Sequence, residues 1–432
     1  MHLTNTSIIY RALATFLIGG LVQAGWSDPP PLQWAKGQGT PLGEHVIEGI
    51  QTQDGGFCLV GKTDEPGRDW ADGLVIKINA QGELEWQQRI GARKSQEELR
   101  CITEVSDGYL IGGTFSGSEK KSQAGICKLD RSGTVLWTTL LPHKRFGAVR
   151  GVAIDQAGYL VGTGYTDLEE YKIPFIADEA IGVLFKMDQQ GEIQWQQSLP
   201  LAQGSKVDVH PSDGVIAVCG TQWRATDKSS KREGQEGKGV REDHQDGCLL
   251  LFDENGTQLG QRFFGGPHMD QLFDLDPTHD GWVLAGHSMG IASGWDVWIV
   301  RVNADGMLLW QKRFGQPLGG DKAFVFDECY GVKSAGDGGF LLACGSGIEP
   351  ENVHDQKDKR NVWAAYLIKT DRDGALEWEY IFHRPDEGHN ACEWVIPVRE
   401  GGYLMLLDSD HLGEASEENI GLLKLGNPSE GS

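Results

Sequence analysis

Apolar residues in this chain come in short runs bounded by glycine and aspartate, and two kinds of run alternate along it. The first follows a Gly-containing turn. It reads DGGFCLVG at 54–61, DGYLIGG at 107–113, AGYLVGTG at 157–164, DGVIAVCG at 213–220, DGWVLAG at 280–286, DGGFLLACG at 337–345 and GGYLMLL at 401–407. The second follows a turn of the form Asp/Asn-x-x-Gly and mostly carries a tryptophan. It reads NAQGELEW at 79–86, DRSGTVLW at 130–137, DQQGEIQW at 188–195, DENGTQLG at 253–260, ADGMLLW at 304–310 and RDGALEW at 372–378. Runs this short, closed by turn residues, predict strands rather than helices. Asp-Gly and Gly-Gly supply the positive φ that tight hairpins need. An apolar strand lies before each Asp/Asn-x-x-Gly turn and carries Lys or Arg in all but the fourth unit, where it reads CLLLF. Each unit, about 60 residues long, therefore predicts four antiparallel strands, A to D.

The first motif occurs seven times, but the second only six times after residue 45. The missing copy stands at the other end of the chain. LQWAKGQG at 32–39 aligns with LEWQQRIG at 84–91, while the C-terminal end offers only the C-type strand IGLLKL at 420–425. A ring of sheets must hide the edges of its first and last members. The expected fold is all-β: a seven-bladed β-propeller with four antiparallel strands per blade, closed by an N-terminal strand in the last blade. Residues 25–432 are expected to form one propeller domain. The tryptophans of strand D are expected between neighbouring blades. Blade 4 departs from the pattern, with Gly260 in place of the tryptophan.

Composition changes this picture little. The chain has 432 residues, 60 of them glycine and 14 tryptophan, with a net charge of −23. That charge repels phosphate backbones and anionic surfaces, so no nucleic acid and no membrane partner is expected. Residues 1–24 read as a cleaved export signal: Arg11, an apolar segment from Ala12 to Val22, and small residues Val22 and Ala24 before the cleavage point. No later segment is long and apolar enough to span a bilayer. A secreted or periplasmic protein is expected. The eight cysteines, an even number, suit an oxidising compartment and form no CxxC motif. Cys219 with Cys248, and Cys329 with Cys344, fall on neighbouring strands and could be bridged or stay as buried thiols.

The Asp-x-x-Gly-x-x-x-Trp strand, preceded by its apolar C strand, resembles the tryptophan-docking repeat of the quinoprotein-like propellers. The Asp-Gly-Gly-aromatic unit also resembles exported bacterial propeller proteins with a similar repeat. The resemblance covers residues 32–425 and implies fold more than function. Quinoprotein dehydrogenases also use a disulfide between adjacent cysteines, a bound calcium or lanthanide and an Asp base. This chain has no Cys-Cys pair, so pyrroloquinoline quinone is not expected, and the resemblance extends to scaffold propellers that share the motif.

Blade geometry places the A–B and C–D turns on one face and the B–C loops on the other. The expected insertions, 165–180 in blade 3, 222–246 in blade 4 and 346–362 in blade 6, all stand on the second face, with Phe175 and Trp223 among their apolar residues. The innermost A strands begin on that same face. There the sequence places Glu44, His45, Glu97, Glu98, Asp270, Asp327, Glu328, His389 and Glu393, with His268 just before Asp270. Blades 3 and 4 contribute Arg150, Lys206 and Asp208 instead. Glu44, His45, Glu97, Asp270, Asp327, Glu328, His389 and Glu393 are the candidate ligand residues at the channel mouth. His45, His268, His389 and Asp327 could hold a divalent cation. The competing expectation is that an acidic residue before strand A bonds backbone amides of the D–A connection. No HExxH, GxSxG or phosphate-cradling loop is present. The reading is therefore an exported, non-catalytic binding or scaffold propeller. It is expected as a monomer or an oligomer of unknown order, needs no cofactor, and takes a protein or other extracellular ligand on the insertion face. The alternative is a metal-dependent or carboxylate-based enzyme at the channel mouth.

Overall fold

The computed structural model describes residues 27–427 apart from 40–41, 65–69, 92–94, 117–121, 144, 169–179, 226–242, 290–293, 319–324, 349–361, 384–387 and 413–417. The expected signal segment, Phe175 and most of the three B–C insertions lie outside the described residues, as does the side chain of Trp223. In blade 4 the strands run further than expected, B to Ala225 and C from Asp243.

Among the described residues, 28 strands form seven four-stranded antiparallel blades. Blades 5 and 6 are joined by one parallel bridge between Trp295 and Phe326. The A strands that ring the axis are Gly43–Gln51, Glu98–Val105, Phe146–Ile154, Gln203–Val209, Asp270–Thr278, Phe326–Ser334 and Asn390–Pro397. Blade 7 takes strands A to C from the C-terminal segment and strand D, Leu32–Gln38, from the N-terminal one. That strand pairs antiparallel with Asn419–Leu425, placing Trp34 opposite Lys424 and Gly37 opposite Gly421. The pairing removes two free sheet edges at once.

Three repeated contacts explain why these sequences make blades. Alternating apolar residues of strands B and C are buried on both faces, so each blade packs against two neighbours. The Lys or Arg of strand C turns back to the Asp of its own A–B turn: Lys77 to Asp54, Lys128 to Asp107, Lys186 to Asp155, Arg301 to Asp280 and Lys369 to Asp337. These cations are largely buried, and the turn aspartates keep them from being orphaned. Finally, five of the six D-strand tryptophans lie on the glycine of the next blade's C–D turn; the sixth, Trp378, faces blade 7, which has no such turn, and packs on Tyr403 instead. A Cβ on Gly82 would stand 2.6 Å from Trp34, one on Gly133 would stand 2.7 Å from Trp86, and one on Gly374 would stand 2.7 Å from Trp310. Trp137 covers Gly191 and Trp195 covers Gly256 in the same way. Where Gly260 replaces the tryptophan, the stem of Arg262 covers Gly306 instead.

The eight cysteines are all buried and all unbridged. Cys329 and Cys344 are direct cross-strand partners, yet both remain thiols in the interior between blades. Their even number reflects strand packing, not a disulfide framework.

Candidate functional site

Every A strand carries a β-bulge at the same place. The register shifts between Val46 and Glu48, Leu99 and Cys101, Val149 and Gly151, Gly204 and Lys206, Leu272 and Asp274, Cys329 and Gly331, and Cys392 and Trp394. The extra residues are Ile47, Arg100, Arg150, Ser205, Phe273, Tyr330 and Glu393. A bulge re-aims a side chain that a regular strand would bury in the sheet. All seven line one cavity of about 340 Å³ at the channel mouth. Because A strands start on the face of the B–C loops, the cavity opens toward that face.

The wall is electrically divided. Blades 2 and 3 present Arg100 and Arg150. Arg100 meets Glu98 at 3.0 Å, whereas the buried Nη1 of Arg150 has no hydrogen-bond partner among the described residues. Burial and the neighbouring Arg100 charge pull Arg150 down to about 10. Blade 7 presents Glu393 and Asp408. Burial, reinforced by Asp408 and Glu418, pushes the Glu393 carboxyl well above its ordinary range. Tyr330 donates to Glu328 at 2.8 Å beside it.

The floor is a cross-channel ion pair. Lys206 Nζ of blade 4 meets Glu48 Oε2 of blade 1 at 2.5 Å, with both side chains nearly inaccessible. Burial raises Glu48 against the pull of Lys206, while for Lys206 burial works the other way and is outweighed only by the charges of Glu48 and Asp274 together with the Glu48 hydrogen bond, which raise it. Lys206 and Lys333 also stand 4.6 and 4.2 Å from the centre of the Trp394 ring. Lys333 is held by Asp274 at 3.1 Å. Below this layer, Asp208 is pushed up to about 7 by burial and by Asp276.

A second cluster lies on the rim between blades 7 and 1. His45 Nδ1 is 3.1 Å from Asp408 and 3.3 Å from Glu418, and its Nε2 is 3.4 Å from Asp64. His389 Nδ1 meets the other oxygen of Glu418 at 2.5 Å. Burial works to lower His45, but its bonds to Asp408 and Asp64 outweigh that and raise it to about 10. His389 is raised in the same way by Glu418. His45, Asp408 and Glu418 offer ligand atoms all within 4.8 Å of one another.

The candidate residues read from sequence divide accordingly. His45 and Glu393 line the cavity, and His389 joins the rim cluster through Glu418. Glu328 stands at its edge through Tyr330. Glu44, Glu97, Asp270 and Asp327 do not line it. They occupy the adjoining strand positions, whose side chains face the blade and the D–A connection. Asp270 accepts from the Gly266 amide at 2.7 Å and from Ser288. Asp327 accepts from the Gln316 amide at 2.9 Å. Glu97 accepts from Ser95 at 2.7 Å, and Glu44 pairs with Thr63 at 3.5 Å. Of the expected metal ligands only His45 belongs to the group with metal-binding geometry among the described residues; His268, His389 and Asp327 do not. Arg150 and Lys206, expected at the mouth in blades 3 and 4, do line the cavity, and with Arg100 of blade 2 they make it half cationic. Arg100, Tyr330, Asp408 and Glu418 were missed. The usable signal was the position just after the buried apolar residue of strand A, in line with Val46, Leu99, Val149, Leu272, Cys329 and Cys392.

No protein-family model matches this chain, and no curated protein matches it. Among solved structures, the Pan2 WD40 domain of Neurospora crassa is similar over 89% of this chain and 90% of that one, with a TM-score of 0.52 and 12% identity. At that identity the likeness concerns architecture alone, and it agrees with the seven antiparallel four-stranded sheets: the chain folds as a β-propeller.

Proposed function

We propose that this protein is an exported binding propeller whose ligand enters the channel mouth on the face bearing the B–C loops. The observation that carries this reading is the convergence of seven bulge residues, one per blade, on a single cavity. A bulge weakens its own ladder, so seven in register are costly unless the re-aimed side chains serve a purpose. At about 340 Å³ the cavity lies at the lower end of the range of small-molecule sites, roughly 300–1,000 Å³. The cross-channel ion pair closes it from below, which makes it a pocket rather than a pore. The tryptophan-on-glycine packing supports kinship with the tryptophan-docking propellers of the quinoprotein-like superfamily. The reading includes export from the cytoplasm, supported by the charged and apolar pattern of residues 1–24.

The test is a thermal-shift screen of small polar compounds on the full chain, with every hit repeated on Ile47→Trp, which fills the mouth. Hits should vanish in the variant. Hits that bind both proteins equally would place the ligand elsewhere.

A second reading is favoured by one cluster. His45, Asp408 and Glu418 could hold a divalent cation at the rim, where it would polarise a bound oxygen ligand. Protein loaded with zinc or manganese and then desalted should retain close to one equivalent, and His45→Ala should lose it. Retention below a tenth of an equivalent by the wild-type chain would rule the site out.

A further inference from the structure

The cavity described above has two walls of opposite charge, and each wall keeps a polar group unmet. Arg150 Nη1 is buried with no hydrogen-bond partner among the described residues. Glu393, re-aimed inward by its bulge, makes no hydrogen bond or ion pair with a described residue. The two residues come from blades 3 and 7, which are three steps apart in a ring of seven and so face each other across the axis. Arg100 stands beside Arg150, and Asp408 beside Glu393, on the same cavity surface. A buried guanidinium nitrogen left unpaired is costly, and that cost becomes selectivity when a ligand supplies its partner, while Glu393, only partly buried, is open to a ligand from the cavity.

We propose that the channel mouth binds a small zwitterion, with its anionic end on Arg100 and Arg150 and its ammonium end on Glu393 and Asp408. This rests on the channel-mouth reading and adds the ligand's chemical class. A guanidinium fork suits a carboxylate, which it can grip through two parallel N–H bonds. Phe273 and Ile47 complete the lining and suit a short aliphatic spacer between the two charged ends. A simple acid would leave Glu393 unmet, and a simple amine would leave Arg150 Nη1 unmet.

Calorimetric titration of the full chain in buffer containing a chelator tests this. The probes are the ω-amino acids from glycine to 6-aminohexanoate, each beside the carboxylic acid and the alkylammonium of matched length. At least one amino acid should bind ten-fold or more tightly than both of its single-charge analogues. Arg150→Met and Glu393→Gln should each remove at least ten-fold of that affinity. Arg100→Gln replaces Arg150→Met should the latter not fold. An acid or an amine that binds as tightly as its amino acid would overturn the zwitterion assignment and leave the channel-mouth reading standing. Absence of binding by the whole series would also overturn the assignment, and the Ile47→Trp screen would then decide the wider reading independently.

Discussion

Trp34, from the N-terminal strand of blade 7, rests on Gly82, in the C–D turn of blade 1, so closely that a Cβ there would stand 2.6 Å from the indole. This contact joins the two ends of the ring. It does for blades 7 and 1 what Trp86 on Gly133 does for blades 1 and 2. Closure is thus made twice, once by the hydrogen bonds between Leu32–Gln38 and Asn419–Leu425 and once by side-chain docking onto the following blade.

Gly82 and Gly306 occupy the same turn with nearly the same backbone, φ 74° and 73°. Only Gly82 carries a tryptophan. Gly306→Ala should cost about 1 kcal/mol for the left-handed backbone, since the flexible Arg262 stem 3.1 Å away can shift. Gly82→Ala should cost about 2–4 kcal/mol, because the indole must also move. Urea unfolding of both variants measures the difference; equal losses would mean that the tryptophan contact contributes nothing.

The Lys206–Glu48 pair links blades on opposite sides of the axis. Removing one partner, as in Lys206→Met, strands the other charge in the channel and should cost about 3–5 kcal/mol. The double variant Glu48→Leu/Lys206→Met should recover most of that loss. A double-mutant cycle by chemical denaturation reads the coupling directly.

Stability should fall in two stages as pH rises. Asp208 holds its proton to about 7 in the fold against 3.8 when unfolded. Its contribution is complete below that lower value and is lost as pH rises through 7. His45 is raised from 6.5 to about 10. Its imidazolium contributes fully below 6.5 and ceases to do so as pH rises through 10. Asp208→Asn should flatten the first stage and His45→Gln the second, as followed by melting temperature in a pH series.

All eight thiols are buried and unbridged. The native protein should therefore react slowly with iodoacetamide, whereas denatured protein, without any reductant, should take up eight adducts by intact mass. An uptake of six would reveal a bridge, with Cys329–Cys344 the pair geometrically placed for it.

How far the fold could be read in advance follows from the physics of repeats. Turn glycines, strand periodicity and the tryptophan register are local features, repeated often enough for the seven-blade count and the displaced closing strand to stand out. Which face bears the insertions follows from strand alternation alone. The site was less legible. Glu44, Glu97, Asp270 and Asp327 look like a ring of ligands along the chain, yet they face the D–A connections, since adjacent strand residues point in opposite directions.

What the sequence determined by itself was the ring: its blade number, its strand order and the way it closes, because each is marked by local motifs that recur once per repeat, and a copy missing at one end and present at the other shows where the ring closes. Only the tertiary structure decided the channel. Seven bulges turn Ile47, Arg100, Arg150, Ser205, Phe273, Tyr330 and Glu393 inward, and the sign of each wall and the Lys206–Glu48 floor come from residues that meet across the axis, 158 positions apart in that pair. Closing the ring is what brings them together, and no local pattern encodes such a meeting.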